Sequence, residues 1–187
     1  MAEPGILFAV VGPSGAGKDT LLDEVRQMLN ADPRFVFQQR TITRPAAAGG
    51  EAHRAVSPET FVAEEVRGDF ALSWRAHELA YGLPMAMVGA LATGTHVIAN
   101  MSRAVVAEAV ARFSPVCVIH ITAPDDVLRA RLAARGRESS ADQAARVVRA
   151  AEIPADAAVI EIVNDGPVAV GAERLLAAFR MTANRAP

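Results

Sequence analysis

Four residue types are nearly missing from this chain of 187 residues, which has one cysteine, one tryptophan, one tyrosine and one lysine. The single cysteine, Cys117, excludes an internal disulfide, and its place in the apolar run from Val116 to Ile121 marks it as a small buried hydrophobe. A reducing cytoplasm is the expected setting. No apolar run reaches the roughly 20 residues needed to cross a bilayer, and the opening Met1-Ala2-Glu3-Pro4-Gly5 lacks the positive stretch of a secretory signal. Neither membrane insertion nor export is expected. Charge of one sign is scarce too: 19 basic against 21 acidic residues, a formal net charge of −2 and no block of like charge leave no cationic face to coat nucleic acid or an anionic membrane. What is present is a chain 51% hydrophobic and 21% charged, enough to bury the core of one domain over 1–187.

The scarcity of lysine is lopsided, because 18 of the 19 basic residues are arginine and Lys18 alone is lysine. Alanine makes up about a fifth of the chain, so biased nucleotide composition accounts for the arginines. Lys18 needs a reason of its own, and its neighbours supply it. Gly12-Pro13-Ser14-Gly15-Ala16-Gly17-Lys18-Asp19-Thr20 follows the apolar run Ile6 to Val11, a pattern for a strand buried on both faces. It precedes Leu21, Leu22, Val25, Met28 and Leu29 at helical spacing. A glycine-rich turn between strand and helix lets backbone amides surround phosphate oxygens. The helix N-terminus adds partial positive charge, and the lysine reaches the outer phosphates. All nine residues are candidate nucleotide contacts. After the lysine, the usual hydroxyl for Mg²⁺ is replaced by Asp19, with Thr20 one place later. Both are candidate metal residues, and Asn100, where an acidic residue is usual on a later strand, leaves Asp19 to supply the missing carboxylate.

Further buried strands are expected at Phe35 to Phe37, His96 to Ala99, Val116 to Thr122 and Ala158 to Val163. Helices are expected at Arg103 to Arg112, Asp125 to Ala134, Ala141 to Ala151 and Val168 to Phe179. Alternation of this kind gives an α/β fold with a mostly parallel sheet and right-handed crossovers. Residues 40–93 break the rhythm with Pro45, Gly49-Gly50, Ser57-Pro58, Gly68 and Gly82. They read as an insertion into a core of about 1–39 and 94–187, carrying a helix capped by Ser57 and strands near Phe70 to Trp74.

Taken in order, Gly12-Pro13-Ser14-Gly15, Thr41-Ile42-Thr43-Arg44-Pro45, Gly50-Glu51, Gly68-Asp69-Phe70, Tyr81-Gly82, Arg131 through Ser139 and Asn164-Asp165 resemble the guanylate kinase-like P-loop kinases. That resemblance implies a three-layer P-loop NTPase fold, an acceptor-binding insertion and a short lid over about 131–149. The glutamate and aspartate that accept hydrogen bonds from guanine in guanylate kinases correspond here to Leu72 and Asn100. Each lost partner costs about 1–3 kcal/mol, so GMP is expected to be a poor acceptor. The segments Ile42-Thr43-Arg44-Pro45 with Gly49-Gly50-Glu51 and His53, Ala71-Leu72-Ser73-Trp74 with Ala76-His77, Tyr81-Gly82-Leu83-Pro84, and Asn100 with Ser102-Arg103 are similar to the ribose 1,5-bisphosphate phosphokinase family. That family transfers the γ-phosphoryl of ATP to the 1-phosphate of a sugar bisphosphate in bacterial phosphonate use.

What the resemblance implies for residues follows from charge. A phosphate monoester is already anionic near pH 7, so arginines and Mg²⁺ rather than a general base should carry the transfer. Lys18, Arg44, Arg131, Arg135 and Arg146 are candidate catalytic residues, and Arg137 and Asn164 candidate nucleotide contacts. Arg40, Arg44, Glu51, His77, Tyr81, Asn100, Ser102 and Arg103 are candidates for the acceptor, Arg103 for its second phosphate. The expected cofactors are ATP and Mg²⁺. The expected partners are small molecules, with no nucleic acid and no membrane, and a homodimer is compatible with the sequence. Two other readings stay open at this point: a nucleoside monophosphate kinase, and a guanylate kinase-like interaction module without catalysis, against which the intact Gly12, Gly17 and Lys18 stand.

Overall fold

A computed structural model describes residues 3–48, 51–135, 153–154 and 157–185. Five strands, β1 (Leu7–Val11), β2 (Phe35–Phe37), β7 (His96–Asn100), β8 (Val116–Thr122) and β9 (Ala158–Val163), form one parallel sheet in the order β2-β7-β1-β8-β9. β1 lies in the middle and every residue in it is buried, which is why it reads as an unbroken apolar run rather than an alternating one. The chain leaves β1 toward β2 on one side and later passes from β7 to β8 on the other. The carboxyl ends of β1 and β7 therefore border a topological switch point, the usual place for a ligand cleft in an open α/β sheet.

Alternate residues of these strands feed two cores. Phe8, Val10, Ile119 and Ile121 face one side, where α1 (Lys18–Met28), α5 (Asp125–Arg135) and α6 (Val168–Ala183) contribute Leu21, Leu128 and Phe179. Phe8 and Phe179 meet edge to face at 4.9 Å, and burial of each ring contributes roughly 1.5–3 kcal/mol. Leu7, Ala9, Val97 and Val118 face the other side, covered by Met87 and Leu91 of α3 (Ala86–Ala92), by Val106 of α4 (Val106–Arg112), and by Leu72 and Leu83. Helix, sheet and helix make the three expected layers.

Between β2 and α3 a second, four-stranded sheet runs in the order β4-β3-β6-β5, with β3 at Thr41–Ile42, β4 at Arg54–Ala55, β5 at Phe70–Ala76 and β6 at Leu79–Pro84. Helix α2 (Pro58–Arg67) precedes β5, and Ser57 caps it by accepting from the Thr60 amide at 3.2 Å.

Three expectations need correction. Arg103 does not start an α-helix: Arg103–Val105 is a tighter 3₁₀ turn, capped by Ser102, before α4 begins. β9, expected as a fully buried strand, is an edge strand with Val159 and Val163 exposed. Besides the expected helix and the strand near Phe70 to Trp74, the insertion carries β3 and β4, each too short for a period to register, β6, which Gly82 interrupts as punctuation, and helix α3. Gly82 sits inside β6, where a Cβ would come within 2.6 Å of the Phe70 ring, so its glycine serves close packing rather than a turn. The helix expected over Ala141 to Ala151, and with it Arg137 and Arg146, lies outside the described residues, as does Gly50.

Candidate active site

A cleft of about 220 Å³ opens at the carboxyl ends of β1 and β7, with the glycine-rich loop on one wall and the second sheet on the other. The loop wall follows directly from local sequence. Gly17 caps α1 in the left-handed region at φ 86°, and a Cβ there would lie 2.5 Å from the Asn164 side-chain nitrogen. No side chain caps this helix, so its opening amides, which have no carbonyl one turn earlier, are available to an anion. Gly12, Ser14, Gly15, Lys18 and Asp19 all line the cleft. Lys18 Nζ donates to the Gly12 and Pro13 carbonyls at 2.8 and 3.1 Å, which holds the ammonium within the loop's curve.

Two residues from far along the chain brace that loop. Asn164, 4% exposed, donates from Nδ2 to the Ala16 carbonyl at 2.8 Å. Arg131 on α5 reaches the Gly15 carbonyl from Nη1 at 3.5 Å. Asn164 therefore supports the loop from below. Thr20 is exposed and is not part of the cleft lining, while Asp19 is.

The opposite wall is built from β3 and the β5–β6 hairpin. β3 has two residues, Thr41 and Ile42, and the chain on either side of it carries Arg40 and Arg44. Pairing of Thr41 with Gly82 and of Ile42 with Tyr81 sets both arginines beside the hairpin. Thr43 tightens this, its amide donating to the Ala80 carbonyl at 3.1 Å and its hydroxyl accepting from the Ala80 amide at 2.8 Å. Trp74 and Tyr81, directly opposed across β5 and β6, stack at 5.4 Å with ring planes 5° apart. The Arg40 guanidinium lies 5.2 Å from the Tyr81 ring centroid and 6.0 Å from that of Trp74. His77 lines the cleft from the turn of this hairpin, where His77 and Glu78 both have positive φ, at 52° and 61°. Such a turn matches the twist of the flanking strands.

Arg40 is the most constrained cation of the site. Its side chain is 12% exposed, and burial lowers its pKa to about 10, against the raising field of Asp19. Arg40 Nη2 donates to Glu51 Oε1. His53 Nδ1 lies 3.2 Å from Arg44 Nη2 and 3.0 Å from the Glu51 carbonyl, while His53 Nε2 donates to the Arg44 carbonyl at 2.9 Å. His53, given no role by the sequence, touches Arg44 at both its guanidinium and its carbonyl. The signal was its closeness to Glu51 in sequence, but the partner was not legible there. The Nε atoms of Arg40 and Arg44 are both buried with no hydrogen-bond partner. Arg40 and Arg44 both line the cleft, and guanidinium groups with unsatisfied donors suit oxyanion oxygens.

Between the walls lies Asn100, at the end of β7 and 7% exposed. Its Nδ2 donates to Asp19 Oδ1 at 2.8 Å. The amide that stands where a carboxylate was expected and the carboxylate that stands where a hydroxyl was expected are thus in direct contact. Leu72 is 1% exposed and packs with Leu83 and Met87 under the wall rather than lining it. Ser102 lines the cleft, whereas Arg103 is absent from its lining. Arg135 closes α5. Among the described residues no three or more His, Cys, Asp or Glu side chains gather as a metal centre, and no helix is long and apolar enough to cross a membrane.

The family model described as an AAA domain matches residues 9–153. The ribose 1,5-bisphosphate phosphokinase PhnN of Methylobacterium radiotolerans is 46% identical over 177 residues, covering 95% of this chain and 98% of that protein. The bifunctional ribose 1,5-bisphosphokinase-thymidine phosphorylase of Cupriavidus pinatubonensis is 45% identical over 98% of this chain and 31% of its own length. The chain spans under a third of the bifunctional relatives it matches. Among solved structures, guanylate kinase from Anaplasma phagocytophilum superposes with a TM-score of 0.65 at 18% identity, covering 100% of this chain and 90% of that one, a likeness of fold.

Proposed function

The chain belongs to the ribose 1,5-bisphosphate phosphokinase family, and we propose that it transfers the γ-phosphoryl group of ATP to the 1-phosphate of ribose 1,5-bisphosphate, giving 5-phospho-α-D-ribosyl 1-diphosphate. The observation that carries this reading is the pair of orphaned Nε donors on Arg40 and Arg44, across one cleft from the glycine-rich loop. The loop suits a triphosphate. The arginine pair suits a second anion, and Leu72, which stands where guanylate kinases carry a guanine-binding glutamate, is sealed in the core.

The division of labour follows from charge. The opening amides of α1 and Lys18 hold the donor phosphates, and Arg131, next to the loop, is placed to meet charge that develops on the transferring group. Arg40 and Arg44 grip the acceptor phosphate, with the Trp74–Tyr81 stack as a low-dielectric backing that strengthens the attraction. The acceptor oxygen is already anionic, so no side chain needs to remove a proton.

Asp19 fits a divalent cation: it is a hard oxygen ligand beside the loop, oriented by Asn100, and Mg²⁺ takes one or two carboxylates while keeping phosphate and water ligands. When bound, Mg²⁺ would offset the charge of the donor phosphates. Residues 40–93 serve as the acceptor-binding part. The single buried Cys117, whose thiol pKa is raised by burial, suits a reducing cytoplasm. A place in bacterial phosphonate use follows from the family.

Incubation with ATP, Mg²⁺ and either ribose 1,5-bisphosphate or GMP, followed by ³¹P NMR, tests the reading. A diphosphate formed on the sugar is the expected result. A diphosphate from GMP alone would replace it with a nucleoside monophosphate kinase, and no transfer to either acceptor would refute it.

A further inference from the structure

Glu51 occupies a position that phosphoryl transfer alone does not require. Its Oε1 accepts from Arg40, and its Oε2 faces Asn100 Nδ2 at 3.5 Å. The side chain is 15% exposed and lines the cleft beside Arg40. An ionised carboxylate has about four lone-pair directions, and an approach of 3.5 Å is at the outer limit of hydrogen bonding. Oε2 therefore keeps accepting capacity next to the arginine that faces the acceptor.

The rest of that wall is rich in donors. Arg40 and Arg44 suit phosphate oxygens and can accept nothing. A sugar phosphate, however, also brings hydroxyl groups, and a hydroxyl enclosed without an acceptor loses its hydrogen bond to water. Two carboxylates line the cleft. Asp19 belongs to the loop wall and is tied to Asn100 at 2.8 Å, whereas Glu51 shares a guanidinium with the acceptor phosphate.

Chemistry narrows which hydroxyl is read. In a sugar 1-phosphate the C2 hydroxyl sits on the carbon next to the phosphate-bearing one. A planar guanidinium that lines the cleft with Nη2 held by Glu51 sets the carboxylate at the flank of a phosphate bound to its other donors, on the side of the neighbouring hydroxyl.

We infer that Glu51 accepts a hydrogen bond from the hydroxyl adjacent to the phosphate-bearing carbon, so that the site selects ribo over 2-deoxyribo acceptors. The inference rests on the phosphokinase reading above. Glu51 is a specificity residue under it, and its ion pair with Arg40 fixes the carboxylate before the sugar arrives.

The test compares kcat/KM for ribose 1,5-bisphosphate and 2-deoxyribose 1,5-bisphosphate, with ATP and Mg²⁺, in the full chain and in Glu51→Gln and Glu51→Asp. The natural chain is expected to favour the ribo sugar by about thirtyfold or more, the scale of one hydrogen bond to a charged group. Glu51→Gln is expected to compress that ratio to within about threefold. Glu51→Asp, which keeps the charge but draws it back, should fall between, and it stands in should the glutamine variant fail to fold. Equal use of both sugars by the natural chain overturns the inference and leaves the phosphokinase reading standing. So does a ratio that survives in both variants while both sugars slow equally, because that is the signature of a mere counter-ion to Arg40. No product from either sugar overturns the reading and the inference together.

Discussion

The two walls of the cleft are assembled on different terms. The loop wall is one continuous stretch, residues 12–19, which offers an anion its backbone amides and one lysine. The acceptor wall draws Arg40, Arg44, Glu51, Trp74, His77 and Tyr81 from short strands and turns. A wall of amides needs only a backbone path, which a few glycines and a following helix dictate. A wall of side-chain cations needs counter-ions, braces and backing to hold guanidinium groups out of water, and each comes from elsewhere: Glu51 and Tyr81 on Arg40, His53 on Arg44. The loop wall should thus fail through one residue, and the acceptor wall by degrees.

The sharpest way to break the comparison is at Lys18. Lys18→Arg is expected to lower kcat by about 10³-fold, the scale of losing one preorganised donor, while the thermal midpoint stays near that of the natural chain. A planar guanidinium does not thread the space between the Gly12 and Pro13 carbonyls as an ammonium does. Retained activity in a steady-state assay would show that the loop wall tolerates change as the other wall does.

Next in size is Arg44→Ala, expected to cut kcat/KM for the acceptor by about tenfold to a hundredfold and to leave the affinity for ATP, read by calorimetry, unchanged. Equal losses for donor and acceptor would erase the distinction between the walls. Asp19→Asn tests their meeting point. It should shift the Mg²⁺ titration of activity to about tenfold higher concentration, the low end for a perturbed metal shell, and an unmoved titration would remove Asp19 from the metal.

The smallest effect is away from the cleft. Arg54 donates to both oxygens of Glu64, at 2.7 and 2.6 Å, behind the acceptor wall. Arg54→Ala is expected to cost about 1 kcal/mol of stability at pH 7, because the arginine is half exposed. These hydrogen bonds lower the Glu64 pKa, so its stabilisation is present above the ordinary carboxylate range and is lost as pH falls through the depressed value. The gap between the two melting curves should close as pH is lowered, and a constant gap would assign the effect to packing.

Legibility in the sequence followed the same division. β1, α1 and the loop are marked by period, glycine spacing and the lone lysine; β1 begins one residue after the apolar run does, and α1 begins at Lys18, three residues before the first residue of the helical pattern. β8 carries its boundaries in its apolar run. In the second sheet, β3 and β4 have two residues each, too few for a period to register, and β6 carries a glycine and a proline for reasons of packing and strand end. Arg40 and Arg44 could be named from resemblance, but the roles of Glu51, His53 and Asn100 toward them and toward Asp19 could not. Asn164, expected as a nucleotide contact, is buried beneath the loop and holds the Ala16 carbonyl.

By itself, the sequence determined the parallel sheet, the loop at the end of its central strand and the reason for one lysine among arginines, since each rests on contacts between residues close in the chain or on a repeated pattern. Only the tertiary structure decided how Asn100 meets Asp19 across 81 positions, how Glu51 comes to share Arg40, and how Leu72 is sealed away from the cleft. Those outcomes depend on which strand ends the fold brings together. Charge and hydrogen bonding act through space, and local sequence carries no record of which distant group will stand within 3 Å.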